Sequence, residues 1–386
     1  MKRTRLLRIA AATSLTAGVA LVTTGSLAGA ATNAPASTGH AVFIETDQAT
    51  NTVLAYQRAN DGTLTFAGSY ATGGTGESAA GAAADPLASQ GGLTLVDQNR
   101  ELLAVNPGSD TVSVFSVNGA TLQLIQRVPS GGDFPDSVTS HGDLVAVLNA
   151  GGLGSVAEFS LRGGTLTAVP NSVRSLGLNN TTPPNFVHSP GEIGYSPNGR
   201  FLVLTTKQSA NTLGVANAYD VFGVGADGSL SASPTVTPAQ HANPFAFTFD
   251  TVGHLVGTEA AGSWISTYTI NSDGSLTALG SVSDGQGALC WVSSARGVFY
   301  GSNAASANVS SFTVSPQGAP SLLAQVAANT HPGTTDSAAS PDGRFLYVEG
   351  GGSGALDVFA VNQNGSLDKL QTVWGLPTPF EGIAAS

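Results

Sequence analysis

One cysteine, one methionine and a charged fraction of 10% define this 386-residue chain by what it has little of. The lone Cys290 excludes any intramolecular disulfide, and its apolar setting, Leu289-Cys290-Trp291-Val292, fits a packed thiol rather than a nucleophile. Basic residues are scarce: 14 Lys plus Arg face 25 Asp plus Glu, for a net charge of −11. Such a surface repels phosphate backbones and anionic membranes, and no basic patch offsets it, so nucleic acid is not an expected partner. The six histidines are scattered, with no HExxH or paired spacing, so no zinc motif is present. The Gly-x-Ser-x-Gly elbow of serine hydrolases is also missing.

Long apolar runs are missing too. Lys2, Arg3, Arg5 and Arg8 precede a stretch from Ile9 to Val22 that is too short and too broken by Thr and Ser to span a bilayer. Ala28-Gly29-Ala30 then offers a small-x-small cleavage site, so residues 1–30 read as a secretory signal peptide. Residues 31–39 form a short linker, and 40–386 a single domain. The mature protein is expected to be secreted, monomeric and without a membrane span. Its ten Lys plus Arg would stand against all 25 acidic residues.

Glycine is abundant instead, and it punctuates a repeat. In Ser340 to Leu367, a Pro-Asp-Gly turn leads into one alternating run (Phe345 to Glu349), a Gly-rich break, a second run (Leu356 to Val361) and an Asn364-Gly365 turn. Alternating apolar residues between such turns signal β-hairpins. The second run recurs around seven aromatics: Tyr56, Phe115, Phe159, Phe222, Tyr268, Phe312 and Phe359, spaced 59, 44, 63, 46, 44 and 47 residues apart. Seven repeats of four short strands predict an all-β, seven-bladed β-propeller. The first blade lacks its innermost strand, and Phe380 to Ser386 has the character to supply it, closing the ring and removing its exposed edges.

Strand order puts the tight turns, such as Asn198-Gly199 and Asp342-Gly343, on one face. Arg200 and Arg344 sit in equivalent turns there and read as structural. The opposite face carries the long segments Gly68 to Gly92, Asn171 to Gly191 and Lys207 to Asn217. Long loops on one face of a rigid scaffold mark a binding face. Gly223 to Gly228 matches a dinucleotide fingerprint only formally, because its Asp-Gly is a hairpin turn and no helix follows.

Superposing the inner-strand entrances places Glu192 opposite Asp336, with Asp136, Trp291 and Glu381 nearby, around one mouth of the central channel. Carboxylates crowded together raise one another's pKa, which makes a general acid or base. His188 and His331 lie just upstream of Glu192 and Asp336 and are their candidate partners. Lys207 and Arg174, on the same face, are candidates to meet an anionic group on a ligand. A single Ca²⁺ held by carboxylates and carbonyls in the channel would leave no motif, so a divalent cation there stays open.

The repeats SPNGRFLVLTTK, SPDGRFLYVEGG and ALDVFAVNQNGSL, with GQGALCWV from Gly285, resemble the seven-bladed propeller lactonase family of 6-phosphogluconolactonase-like enzymes and 3-carboxymuconate cyclases. The resemblance covers nearly everything from His40 onward. It implies opening or closing of a small lactone ring, with no organic cofactor required. Active members tend to carry a Pro-His pair at the inner-strand entrance, with Arg and Glu nearby. Here the matching positions read Pro135-Asp136, Pro190-Gly191-Glu192 and Pro244-Phe245, so only Glu192 keeps the implied acid or base role. Two readings follow: a secreted lactonase-like enzyme acting on a small lactone through Glu192, Asp336 and a loop histidine, or a non-catalytic propeller whose long loops bind a carbohydrate, peptide or surface partner.

Overall fold

The structure, a computed structural model, describes residues 39–386. The expected signal peptide and nearly all of the linker lie outside the described residues. Strands dominate, and the one helical element among the described residues is a short 3-10 turn at Pro107–Ser109.

The strands form seven antiparallel sheets, the blades of a propeller. Blade 7 shows the plan: Thr334–Ala339 is innermost, followed outward by Phe345–Gly350, Ala355–Val361 and Leu367–Trp374. Its second strand is buried at every position, because neighbouring blades cover both faces of the sheet, whereas its fourth is largely exposed. The core is therefore distributed between blades. Phe201, Val203, Tyr219 and Val221 of blade 4 pack on Phe247, Leu255, Tyr268 and Leu276 of blade 5. All seven repeat aromatics are buried. Five of them, Tyr56, Phe115, Tyr268, Phe312 and Phe359, sit next to a β-bulge that shifts the register with the outer strand. Such a bulge twists the edge strand away from its neighbours.

The SP(D/N)GRF turns are built alike in blades 4 and 7. Ser340 Oγ donates to Asp342 Oδ1 at 2.6 Å and accepts from the Phe345 amide at 3.0 Å; Ser196 does the same with Asn198 and Phe201 at 2.9 and 3.1 Å. Gly343 and Gly199 take φ of 66° and 68°, the left-handed geometry that favours glycine.

The ring closes through the C-terminus. Ile383–Ala385 pairs antiparallel with Ala41–Glu45 as the innermost strand of blade 1, and the Ser386 hydroxyl accepts from the Ala41 amide at 2.8 Å. Blade 3 departs from four simple strands: its outer edge is split into Thr165–Ala168 and Arg174–Ser175, both paired with Ser155–Arg162.

Candidate functional site

Inner strands begin irregularly, and the irregularity positions the candidate acids. The register slips between Pro135 and Ser137, between Pro190 and Ile193, and between Thr334 and Ser337, which frees Asp136, Glu192 and Asp336 from the ladder at the head of the channel. Gly191 is required beside Glu192, because a Cβ there would collide with the carbonyl of Phe245 and the Thr205 hydroxyl. Lys207, just past the second strand of blade 4, is 3% exposed and turns inward to the same place.

The channel head is capped by a segment of the chain itself. After blade 1 the long loop pairs with the other long loop, the Ala80 amide donating to the Pro184 carbonyl at 2.8 Å and the Phe186 amide to the Ala80 carbonyl at 3.2 Å. It then dips inward, with Pro86 to Ser89 buried. Lys207 Nζ donates to the Ala88 carbonyl at 2.6 Å, and Trp291 Nε1 to the Ser89 carbonyl at 2.7 Å. The Gln90 side chain spans two blades, reaching Glu192 Oε1 at 3.3 Å and the Val292 carbonyl at 3.2 Å, while the Val292 amide donates back at 2.9 Å. Gly351 has no room for a side chain, since an added Cβ would strike the Ala84 and Phe380 carbonyls.

Beneath this cap lies an acidic cluster around one lysine. Glu381 accepts from Trp291 Nε1 at 3.2 Å and from the Leu87 amide at 3.3 Å, and its amide donates to Asp47 at 3.0 Å. Burial, then Asp85, pushes the Glu381 carboxyl well up. Asp136 is fully buried with neither carboxyl oxygen hydrogen-bonded; burial raises it and the nearby Lys207 draws it partly back. Glu349 and Glu45 are likewise buried and raised, with Asp336 acting on the first and Asp47 on the second. Lys207 is lowered to about 8 by burial, against the pull of Asp85 and Asp136. Its ammonium also lies 4.7 Å from the centre of the Phe245 ring. Beside it, burial lifts the Cys290 thiol to about 12, as a packed cysteine requires.

Asp336 and Glu192 form the part of the cluster suited to proton transfer. Asp336 accepts from the Ser337 amide at 2.7 Å, and burial lifts its carboxyl to about 7. Glu192 keeps some exposure, accepts from the Phe247 amide at 2.6 Å and is pushed well up by burial and then by the Asp336 charge. A carboxyl poised near 7 beside one held protonated can exchange protons with water and a leaving group at neutral pH.

Glu192, Asp336, Asp136, Trp291, Glu381 and Lys207 are thus gathered as the sequence suggests. The other candidates sit elsewhere. His331 gives its amide and Nδ1 to Asp357, at 3.0 and 2.9 Å, and lies edge-on to Trp374; Lys369 meets the same carboxylate at 2.8 Å. His188 lines a separate polar pocket with Asn179, Asn185 and Gln208. Arg174 is spent on the Ser231 and Leu230 carbonyls, both at 2.9 Å. Asp85, Gln90, Asp47, Glu45 and Glu349 are the members that sequence reasoning missed. A signal existed for two of them: Asp85 and Gln90 stand alone in an Ala- and Gly-rich tract from Ser78 to Gly92. Among the described residues, no three His, Cys, Asp or Glu side chains are grouped so as to hold a metal ion.

Comparison with known proteins agrees with this architecture. Residues 39–176, blades 1 to 3, match the family model described as "Lactonase, 7-bladed beta-propeller". No curated protein matches the chain. Among solved structures, the periplasmic gluconolactonase PpgL of Pseudomonas aeruginosa is 21% identical with a TM-score of 0.68, covering 90% of this chain and 98% of its own. A 6-phosphogluconolactonase-like structure from Bacteroides fragilis NCTC 9343 gives 16% identity and 0.68 over 91% and 99%, and one from Bacteroides uniformis ATCC 8492 gives 17% and 0.70 over 90% and 99%. The chain is a seven-bladed β-propeller. The lactonase family model covers residues 39–176, and the likeness to these solved structures is one of fold.

Proposed function

We propose that this protein is a secreted hydrolase of small, uncharged lactones, with its reacting centre at the capped head of the channel. The observation that carries this reading is the proximity of Asp336 to Glu192, whose carboxyl the Asp336 charge pushes up, under a capping segment that Gln90 ties to Glu192 and Lys207 holds through Ala88. In the reaction Asp336 takes a proton from water as the oxygen attacks the lactone carbonyl. Lys207 offers positive charge to the oxyanion, and Glu192 protonates the ring oxygen as the acyl C–O bond breaks, so lactone and water become a hydroxy acid. No covalent intermediate or organic cofactor enters this scheme.

Three further features support it. Only one lysine stands among many carboxyls, which suits a neutral ring better than a phosphorylated one. Pro86 to Ser89 are buried over the cluster, so turnover requires that segment to lift. Export follows from the basic and apolar residues before Ala30.

The test is hydrolysis of aliphatic, aromatic and sugar lactones by the mature protein, followed by pH-stat, with Glu192→Gln and Lys207→Met as controls. Turnover lost in both variants supports the assignment. Turnover untouched by either removes the centre from the channel head, and no turnover on any lactone overturns the reading.

A further inference from the structure

The face that carries the long loops holds a second concavity, separate in its lining from the capped acidic cluster. A pocket of about 320 Å³ is lined by Asn179, Asn180, Thr181, Asn185, His188, Gln208 and Ser209, and no Lys, Arg, Asp or Glu takes part. In a chain with 25 acidic residues, a loop pocket walled by amides, hydroxyls and one imidazole is chemically distinct from its surroundings.

The walls are fixed by hydrogen bonds. Ser209 Oγ donates to Asn180 Oδ1 at 2.7 Å, Asn180 Nδ2 donates to the Ala150 carbonyl at 2.9 Å, and the Asn180 amide donates to the Gly152 carbonyl at 2.6 Å. The Gln208 amide reaches the Val187 carbonyl at 3.1 Å, and the His188 amide reaches the Asn185 carbonyl at 2.9 Å. Asn179 adopts a left-handed φ of 56°, which turns the chain at the rim. Phe186, between Asn185 and His188 in sequence, is 42% exposed and turns its ring toward Gly81 of the other long loop, outside the pocket lining.

Side-chain amides present donors and acceptors side by side, and hydroxyls do both at once. That pattern matches a ligand bearing several adjacent hydroxyl groups. An anion would find no cation here, and a cation no carboxylate, so either would lose hydration without compensation. We propose that this pocket is a binding site for a neutral saccharide. It stands whether or not the channel head hydrolyses lactones.

The experiment is saturation-transfer NMR and calorimetric titration of the mature protein with methyl glucoside, maltose, cellobiose and diacetylchitobiose, with glucose 6-phosphate and glucuronate as charged comparators. At least one neutral sugar binds, and each charged comparator binds more weakly than its neutral counterpart. Asn179→Gly with His188→Leu removes two lining side chains while keeping the left-handed turn, and weakens that binding tenfold or more with the unfolding temperature unchanged. If this variant does not fold, Gln208→Leu gives the same reading, and side-chain amide signals of Asn179, Asn185 and Gln208 shift on titration of the unaltered protein. Failure of every neutral sugar to bind, stronger binding of the charged ones, or equal affinity in the folded variant overturns the proposal.

Discussion

Trp291 Nε1 is shared between the Ser89 carbonyl at 2.7 Å and Glu381 Oε1 at 3.2 Å, so one indole ties the capping segment to the Glu381 side-chain carboxyl beneath it. Trp291→Phe keeps most of the ring but leaves both acceptors buried without that donor. The expected cost is about 1–3 kcal/mol. Denaturant unfolding measures it, and hydrogen exchange at Leu87 to Gln90 rises in the variant. Unchanged exchange there would show that the indole does not hold the cap.

Carboxyls raised by burial make the fold prefer acid. Glu192, Asp136, Glu349, Glu381 and Asp336 hold protons in the folded state at pH values where the unfolded chain has released them. Stability therefore falls as pH rises from the ordinary carboxylate range through about 7, the value for Asp336, and is flat below that range. Lys207 acts in the opposite sense only above its value of about 8. Urea unfolding at pH 5 and pH 8 shows a lower midpoint at pH 8, and Asp336→Asn reduces the difference. A higher midpoint at pH 8 would contradict the protonation pattern.

The Lys207 charge draws the buried Asp136 carboxyl partly back down. In Lys207→Met the acids lose that charge and remain protonated to higher pH. The variant loses stability relative to the unaltered protein as pH rises from 5 to 8, because its folded acids must keep protons that the unfolded chain has released. Equal losses at the two pH values would show that the ammonium matters only through its bond to Ala88.

The C-terminal strand is the ring's closure. Truncation after Leu376 removes Ile383–Ala385, the Glu381 carboxyl and the Ser386 contact to Ala41, and leaves Ala41–Glu45 as an open edge. A lower unfolding temperature and concentration-dependent association follow. Unchanged thermal stability with a monomer on sizing would show that closure contributes little.

The fold was legible because each blade repeats one short plan. The aromatic of the third strand and the SP(D/N)GRF turn mark the same places in successive blades, and burial follows strand order. The ring of Asp136, Glu192, Asp336 and Glu381 was legible for the same reason, since aligned inner strands must converge on the axis. What was not legible came from outside the repeat. The loop from Thr72 to Gly92 follows no blade pattern, and its return over the channel depends on long-range bonds from Lys207, Trp291 and Val292. Glu45 and Glu349 lie at or near the ends of wholly buried second strands, where sequence suggests a solvent-facing charge and the cap denies it solvent. His331 misled for a similar reason: its position before Asp336 suggested a partner there, but Asp357 and Trp374 on outer strands of the same blade hold it.

The most direct test of the central claim is the pH dependence of kcat/KM for the best lactone substrate, in the unaltered protein and in Asp336→Asn. A proton-transfer group at about 7 predicts activity that rises with pH through that value, and a loss of about 100-fold or more with the inflection abolished in the variant. Activity that is flat across pH 6 to 8, or that survives the substitution with its profile intact, would contradict the assignment of Asp336.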